Sequence, residues 1–400
     1  MKAHEKLYIL PLITSITICL LVCYACTSAE MQTSSVSVDE VAKTITSCGF
    51  ENVRVQASSN TLIIEYENRV YLREKDAIKV IVNKSMNMTP GIEKLVLIPK
   101  RDNVPLFQIV LTNPKITEFD NELIIMAPNI SHNMTDYEST VKKYNSSVGK
   151  IDIKIRPSAN MVLGHFDDPF ISQFFISPDF SVFWGKGIRS NVQLRFKLHD
   201  DLENKSRRVA LNKLCLSYTY RHSALTFMNV GIGLLKDDRY GIASEAILYK
   251  WKNGVGIGGT AAWLGNAYYQ DGKLYYTKLW KKIGLINLYY KPPFWDTLIT
   301  ARFGRFLYED EGASIEITRF FHNTSLTTFV SKTDYGSTAG FQLQLLTYPR
   351  RNLKPSYVRV KLPEVLDMEY RYNQTGVATV FSPEYYTDYI TDTIWLMNLK

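Results

Sequence analysis

VQLRFKLH, residues 192–199, sets apolar Val192, Leu194, Phe196 and Leu198 against Gln193, Arg195, Lys197 and His199. A period of two places these sets on opposite faces of a β-strand. The same texture recurs on both sides. Met228, Val230, Ile232 and Leu234 interleave with Phe227, Asn229, Gly231 and Gly233. Ala313, Ile315 and Ile317 interleave with Ser314, Glu316 and Thr318; Phe341, Leu343 and Leu345 with Gln342 and Gln344; Val358, Val360 and Leu362 with Arg359 and Lys361. From about residue 151 onward helical periodicity is absent. A soluble β-sandwich alternates too. Three features favour a membrane barrel. The segments run about 9 to 12 residues, the length a tilted strand needs to cross a bilayer. They succeed one another through short turns with no intervening helix. Their ends carry aromatics: Tyr218, Tyr220, Tyr249, Trp251, Tyr289, Tyr290, Phe320 and Phe321. The expected fold is mainly β, a transmembrane antiparallel β-barrel of about 12 to 14 strands over residues 151–400.

Ahead of it, residues 30–115 read as a small α/β (α+β) domain. Asp39 is placed to cap a helix whose apolar face is Val41, Ala42, Ile45 and Phe50, with Gly49 ending it. Val53, Val55 and residues 61–66 read as two strands. Residues 73–84 read as a second helix with Ala77, Ile78, Ile81 and Val82 inward. Residues 95–98 and 107–111 read as two further strands. Asn, Ser and Thr crowd residues 129–135 and 145–147, so residues 116–150 read as a linker or loop region.

The N-terminus carries an export address. Lys2 and Lys6 precede an apolar run over residues 7–26, and small Thr27, Ser28 and Ala29 follow. Cleavage after Ala29 would make residues 1–29 a signal peptide. An uncleaved anchor and lipoprotein processing at Cys26 are the alternatives; Tyr24 and Cys23 fit a lipobox poorly. No later run reaches the about 20 apolar residues of a transmembrane helix. A chain that spans a membrane beyond that point must therefore do so as a barrel. The composition, 46% hydrophobic and 22% charged, is that of a folded chain. The net charge of +8 becomes +7 once Lys2, Lys6 and Glu5 leave with the signal. It is spread out, with no basic block of the kind that binds nucleic acid. The 25 Tyr and 19 Phe suit strands and interfacial girdles. Beyond the signal only Cys48 and Cys215 remain, too few for a disulfide framework or a zinc site.

Several stretches resemble a known family. GLLKDDRYGIASEAILYKW (residues 233–251), GRFLYEDEGASIEITRFF (304–321) and KTD (332–334) resemble the YjbH-like exopolysaccharide biosynthesis family of outer-membrane β-barrel proteins. GFENVRV (49–55) and YENRVYLR (66–73) resemble that family's small domain, and HDDLEN (199–204) fits the same context. The likeness covers most of residues 38–373, and residues 304–321 are its most specific part. It implies a barrel in the outer membrane that serves the making or export of a secreted polysaccharide. It brings no catalytic residues. An additional β-rich region at the front of larger members has no counterpart here. The Gly- and acid-rich stretch after KTD is reduced to residues 335–340, which puts any function of that loop in doubt.

Beyond residue 29 no HExxH, GxSxG, P-loop or CxxC pattern is present. Asp167–Asp168 and Asp200–Asp201, with His165 and His199 nearby, do not read as a glycosidase pair, because adjacent strand residues point to opposite faces. Gly254, Gly256, Gly258 and Gly259 sit in a strand pattern and read as close packing. With the apolar faces toward lipid, Arg195, Lys197, Lys213, Arg302, Arg359, Lys361 and Arg371 line the lumen together with Glu245, Glu316 and Glu369. A positive pore would favour acidic sugars; alternatively these charges pair and fill a narrow barrel. The expectation is a non-enzymatic, cofactor-free outer-membrane conduit or docking component, with its N-terminal domain in the periplasm. Its expected partners are outer-membrane lipid, secreted polysaccharide and other polysaccharide-export proteins. A structural adaptor and a polysaccharide-modifying enzyme are the competing readings.

Overall fold

A computed structural model describes residues 36–112 and 142–373, except 59, 72, 90–91, 107, 164–169, 201–208, 223–225, 237, 251–253, 271–272, 293–295, 322, 348–356 and 364. The first part is a small α/β module. Helix α1 (Val36–Ser47) leads into strands β1 (Glu51–Ser58) and β2 (Thr61–Glu67), helix α2 (Glu74–Met88), and strands β3 (Lys94–Arg101), β4 (Val104–Pro105) and β5 (Ile109–Thr112). Strands β1 and β2 form a hairpin, whereas β2 and β3 pair in parallel. A parallel pair needs a crossover, and α2 supplies it. Helix α2 buries Ala77, Ile78, Ile81 and Val82, the spacing of one helical face. They pack with Val41, Ala42, Ile45, Phe50, Leu62, Ile64, Leu95 and Leu97 in one core.

Two details differ from the sequence expectation. Asp39 lies inside the first turn of α1 rather than at its cap, and its carboxylate accepts a hydrogen bond from the Tyr144 hydroxyl. Residues 142–150, expected as linker, are stitched to the module. Val53 N donates to Tyr144 O (3.1 Å) and Tyr144 N to Val53 O (2.8 Å). Asn52 Nδ2 donates to Ser147 Oγ (2.7 Å), and Ser147 N to Asn52 Oδ1 (3.1 Å).

The remainder is one 15-stranded sheet. It runs through β6 (Ile151–Leu163), β7 (Phe170–Gly185), β8 (Ile188–Asp200), β9 (Val209–Arg221), β10 (Thr226–Lys236), β11 (Arg239–Lys250) and β12 (Val255–Gln270). A short β13 (Lys273–Tyr276) folds back on β12, and β14 (Lys281–Tyr290), β15 (Thr297–Arg305), β16 (Glu311–Phe320), β17 (Thr324–Thr333) and β18 (Gly336–Leu346) continue the meander. The last strands take the two edges. Strand β19 (Val358–Lys361) pairs in parallel with β6, and β20 (Val365–Asn373) pairs antiparallel with β18. Residues of β20 also come within 8 Å of β6. Among the described residues no hydrogen-bonded ladder joins those two, so the edges approach without forming a closed ring.

The large sheet turns many apolar side chains outward. Strand β14 buries Lys281, Ile283, Leu285, Asn287 and Tyr289 and exposes Lys282, Gly284, Ile286, Leu288 and Tyr290. Strand β17 buries Ser325, Thr327, Phe329 and Ser331 while Leu326 and Val330 are exposed. Strand β9 buries Ser217 and Thr219 and exposes Leu214, Leu216, Tyr218 and Tyr220. Val358, Val360 and Leu362 are 47%, 38% and 67% exposed, against 1% for Arg359 and 9% for Lys361. The outer face thus carries many aliphatic residues, and the enclosed face mixes hydroxyls, amides and charges with a buried apolar cluster that includes Leu264, Ile283, Leu285 and Phe306. Exposed aromatics cluster at both ends of the strands: Trp184, Tyr218, Tyr220, Tyr290 and Phe321 at one, Trp263, Trp280, Tyr308 and Tyr335 at the other. Tyr289 and Phe320 do not join the exposed set. They turn to the enclosed side and belong to the apolar cluster that contains the module's core. Trp251, also expected at a strand end, lies outside the described residues.

Of the glycines that sequence flagged in β12, close packing explains Gly258, whereas a Cβ on Gly259 would come only within 3.6 Å of the Leu285 carbonyl oxygen. A Cβ on Gly258 would meet the Ala246 carbonyl oxygen at 2.7 Å. The β7–β8 turn is tighter. Lys186 and Gly187 both have positive φ, 47° and 83°, as a two-residue type I′ hairpin requires. A Cβ on Gly187 would lie 2.1 Å from the Thr219 carbonyl oxygen, whereas one on Gly284 would meet nothing within 4 Å. Gly187→Ala is therefore expected to cost at least about 1–3 kcal/mol through its backbone conformation alone. Gly284→Ala is expected to be silent. Thermal unfolding of the two variants in detergent checks this; equal melting temperatures would contradict it.

Candidate functional site: the charged junction between module and sheet

The β3–β4 turn of the module reaches the sheet. Asp102 and Asn103 have φ of 47° and 60°, and Arg101 pairs with Val104 across them, a second two-residue hairpin. The Asp102 carbonyl accepts a hydrogen bond from Gly187 N (3.1 Å), so the two turns meet tip to tip. The Asp102 carboxylate is paired with Arg189 of β8, and Asp102 N donates to Glu67 Oε1 at 3.0 Å.

Around this contact four buried carboxylates, Glu51, Glu67, Asp102 and Asp152, share a set of cations. Arg69, in the loop after β2, is the hub. Its guanidinium reaches Glu67 at 2.7 Å, Glu51 and Asp152 at 3.1 Å, and Asp102 at 3.4 Å. Arg359 of β19 pairs with both Asp152 of β6 and Glu51 of β1. Lys361 Nζ stands 3.1 Å from Asp152. Lys150 Nζ is 3.7 Å from Glu51. Arg359 and Asp152 lie directly opposite in the parallel β6–β19 ladder, so backbone register and side-chain charge select the same alignment.

The electrostatics follow from burial. Desolvation pulls the Arg69 guanidinium down, but Glu67, Asp152 and Asp102 together outweigh it and hold it above its usual value. Burial pushes the Lys150 ammonium down, with Arg69 adding to the effect and Asp152 opposing it. In the module's interior, burial pushes up the Glu74 carboxyl, against hydrogen bonds from Tyr66 (2.5 Å) and Asn68 (3.0 Å).

An apolar layer borders the charges. Phe227, Ile247, Tyr289 and Leu298, from β10, β11, β14 and β15, are buried in the cluster that holds Leu106, Ile109 and the module core. Arg221 of β9 donates to the Pro105 carbonyl at 3.1 Å and lies over the Phe227 ring at 5.4 Å. All these sheet residues sit at the same ends of their strands. The module therefore occupies one end of the enclosed face, held by ions at β6, β8 and β19 and by apolar contact at β10, β11, β14, β15 and β16.

Of the residues expected to line a lumen, Glu245, Arg302, Arg359 and Lys361 are buried and Arg195, Lys197, Lys213 and Glu316 half-buried. They do not form one row of free charges. Arg302 is paired with Glu316 at 2.7 Å. Arg359 and Lys361 belong to the junction, and the partners of Arg359 are Asp152 and Glu51. Arg195 stands over the Phe175 ring at 5.3 Å, and Lys197 is opposite Phe175 in the ladder. Lys213 sits at a bulge opposite Gln193. Glu245 is buried between Asn229 and Thr260 in register. Glu369 and Arg371 occupy β20 opposite Gln342 and Gly340, with side chains outside the described residues. His165, Asp167, Asp168 and Asp201 also lie outside them. Cys48 and Cys215 are free thiols, and no metal-ligating cluster occurs among the described residues.

Sequence reading missed Glu51, Glu67, Arg69, Asp102 and Asp152. A faint signal was present: Glu51 and Glu67, with Asn52 and Glu65, are polar positions in short strands whose remaining buried residues are Val53, Val55, Leu62, Ile64 and Tyr66. Removing one partner from a buried ion network strands the others and costs about 3–5 kcal/mol. Arg359→Gln is thus expected to be strongly destabilising, with partial rescue by Arg359→Lys. Arg195→Gln, half-exposed over a ring, should stay within about 1 kcal/mol of wild type. Melting temperatures of the purified variants decide it; an unperturbed Arg359→Gln would contradict the assigned network.

No curated protein matches the chain. Residues 24–342 match the family described as exopolysaccharide biosynthesis protein YbjH (YjbH). That span takes in the module, the junction residues through Arg189, and the sheet as far as β18. The chain belongs to the YjbH exopolysaccharide biosynthesis family.

Proposed function

We propose that this protein is a non-enzymatic outer-membrane β-barrel that serves exopolysaccharide export, with its N-terminal module seated in the periplasmic mouth. The observation that carries the reading is the outward apolar face of the large sheet. A strand such as β9 spends its outward positions on Leu214, Leu216, Tyr218 and Tyr220 and its enclosed positions on Cys215, Ser217 and Thr219. In water that arrangement would expose a large apolar surface; against lipid it is the stable one. Ten residues at about 3.4 Å each, tilted by roughly 40°, span the about 25 Å apolar band of such barrels. The aromatic residues at both strand ends match the two interfacial girdles. Backbone in lipid must be fully paired, and the approach of β20 to β6 supports closure along that edge.

The family gives the process, exopolysaccharide biosynthesis. The enclosed face supplies a polar path, and the module closes one end of it. The charges that sequence assigned to attracting an acidic polymer are in part already engaged, so the resting state is a shut conduit. A permanent adaptor is the second reading, favoured by the completeness of the ion network.

Val360→Arg should place a charge against lipid at a cost of about 2–4 kcal/mol near the midplane. Loss of the heat-modifiable folded band and of outer-membrane protein is the expected result. Normal assembly would remove the membrane-facing assignment. In planar bilayers the wild-type protein should conduct rarely. Glu51→Gln together with Asp102→Asn should raise the open fraction by loosening the module. If both stay closed, the adaptor reading stands instead. Release of glycan fragments by the purified protein would contradict a non-enzymatic role.

A further inference from the structure

At the end opposite the module, one hairpin outruns the sheet. Strand β12 makes its last pair with β11 at Asn266 and with β14 at Leu264, yet it continues to Gln270 with only β13 beside it. A two-stranded ribbon is marginal by itself, but this one is fixed at its base. The Tyr240 hydroxyl donates to the Thr277 carbonyl, Asn266 N to Thr277 Oγ1 (2.9 Å), Thr277 N to Asn266 O (2.9 Å) and Ala267 N to Asp238 O (2.7 Å). The result is a held platform.

The platform's two faces differ. In β12 the enclosed side takes Thr260, Ala262 and Leu264, so by alternation Tyr268 continues that side beyond the sheet. Tyr275 is directly opposite Tyr268, and Lys273 opposite Gln270 on the same face. The Tyr268 and Tyr275 rings stack with centroids 5.3 Å apart at 16°, and they are 38% and 42% exposed. Leu274 and Tyr276 fall on the outer side, in line with the exposed aliphatic face. A lipid girdle accounts for Leu274 and Tyr276 but not for a stacked pair turned toward the path.

Flat aromatic surface binds the C–H faces of sugar rings, and a phenol adds a hydrogen bond at its rim. Lys273 on the same face, with exposed Lys278 at the base, adds attraction for anionic substituents. We infer that the Tyr268–Tyr275 face with Lys273 is a binding site for an acidic polysaccharide chain at the mouth opposite the module. This deepens the export reading and rests on it. The site commits to the secreted polymer rather than to the sugar headgroup of outer-membrane lipid.

The test uses full-length protein purified in detergent and freed of lipopolysaccharide. Polyuronate oligosaccharide, uncharged dextran of equal length and lipopolysaccharide are titrated separately. Wild type should bind polyuronate more tightly than either of the others. Tyr268→Ala with Tyr275→Ala should weaken polyuronate binding roughly tenfold or more, as loss of an aromatic anchor does. Lys273→Glu should weaken polyuronate and leave dextran unchanged. Tyr268→Phe with Tyr275→Phe should retain most of the affinity. Because the hairpin lies beyond the sheet, all variants should keep the wild-type heat-modifiable band, which separates lost binding from lost folding. Undiminished polyuronate binding by the double Ala variant, or preference for lipopolysaccharide, overturns the site. The export reading fails on different evidence: unchanged secreted polysaccharide when the whole protein is removed from cells.

Discussion

The pairing of Asp152 with Arg359 and of Arg359 with Glu51 is the constraint on which the other features rest. Asp152 stands in the first strand of the large sheet, Arg359 in a strand near the end of the chain, and Glu51 in the module. One guanidinium therefore joins the beginning of the sheet, a late strand at its edge and the domain that precedes it. Burying these charges costs several kcal/mol per ion, offset only while every partner is in place. Arg69 extends the same logic to Glu67 and Asp102, and through Asp102 to Arg189 of β8. No single element can leave without stranding a charge, so strand register, edge placement and module seating are set together.

That constraint gives the enclosed face two regions. Near the module it is crowded with ion pairs and with Phe227, Ile247, Tyr289 and Leu298. Farther along it carries Thr260, Ser314 and Ser331 together with a second apolar cluster that includes Leu264, Ile283, Leu285 and Phe306. In the proposed reading the first region is the seal and the second the path. In that reading the outward aliphatic residues are what lets such a sheet stand in lipid, and local alternation and global arrangement agree in strands such as β9 and β17.

Much of this was legible because its cause is local. Period-two alternation gave the facing of Val358, Val360 and Leu362 against Arg359 and Lys361, and helical spacing gave Ala77, Ile78, Ile81 and Val82. The junction was not legible, because its partners are far apart in sequence: Arg359 lies 308 residues from Glu51 and 207 from Asp152. Nothing local says which carboxylate a buried arginine will meet. Asp39 misled because an acid near a helix start serves as cap or as first-turn residue equally well, and Tyr144 decided it from 105 residues away. The aromatic pair Tyr289–Tyr290 could have been read better. Adjacent strand residues face opposite sides, so only one of them was able to join an outer girdle.

If the aliphatic face meets lipid while the polar face is enclosed, acyl chains should touch one side of each strand and not the other. Replacement of Cys48 and Cys215, and of any cysteine that remains ahead of residue 30, leaves the chain free for single reporter cysteines at Val230 and at Ser331. A fluorophore on each, in bilayers containing brominated lipid, reports contact with acyl chains directly. Strong quenching at Val230 and little at Ser331 is the predicted result; equal quenching at the two positions, or none at Val230, would contradict it.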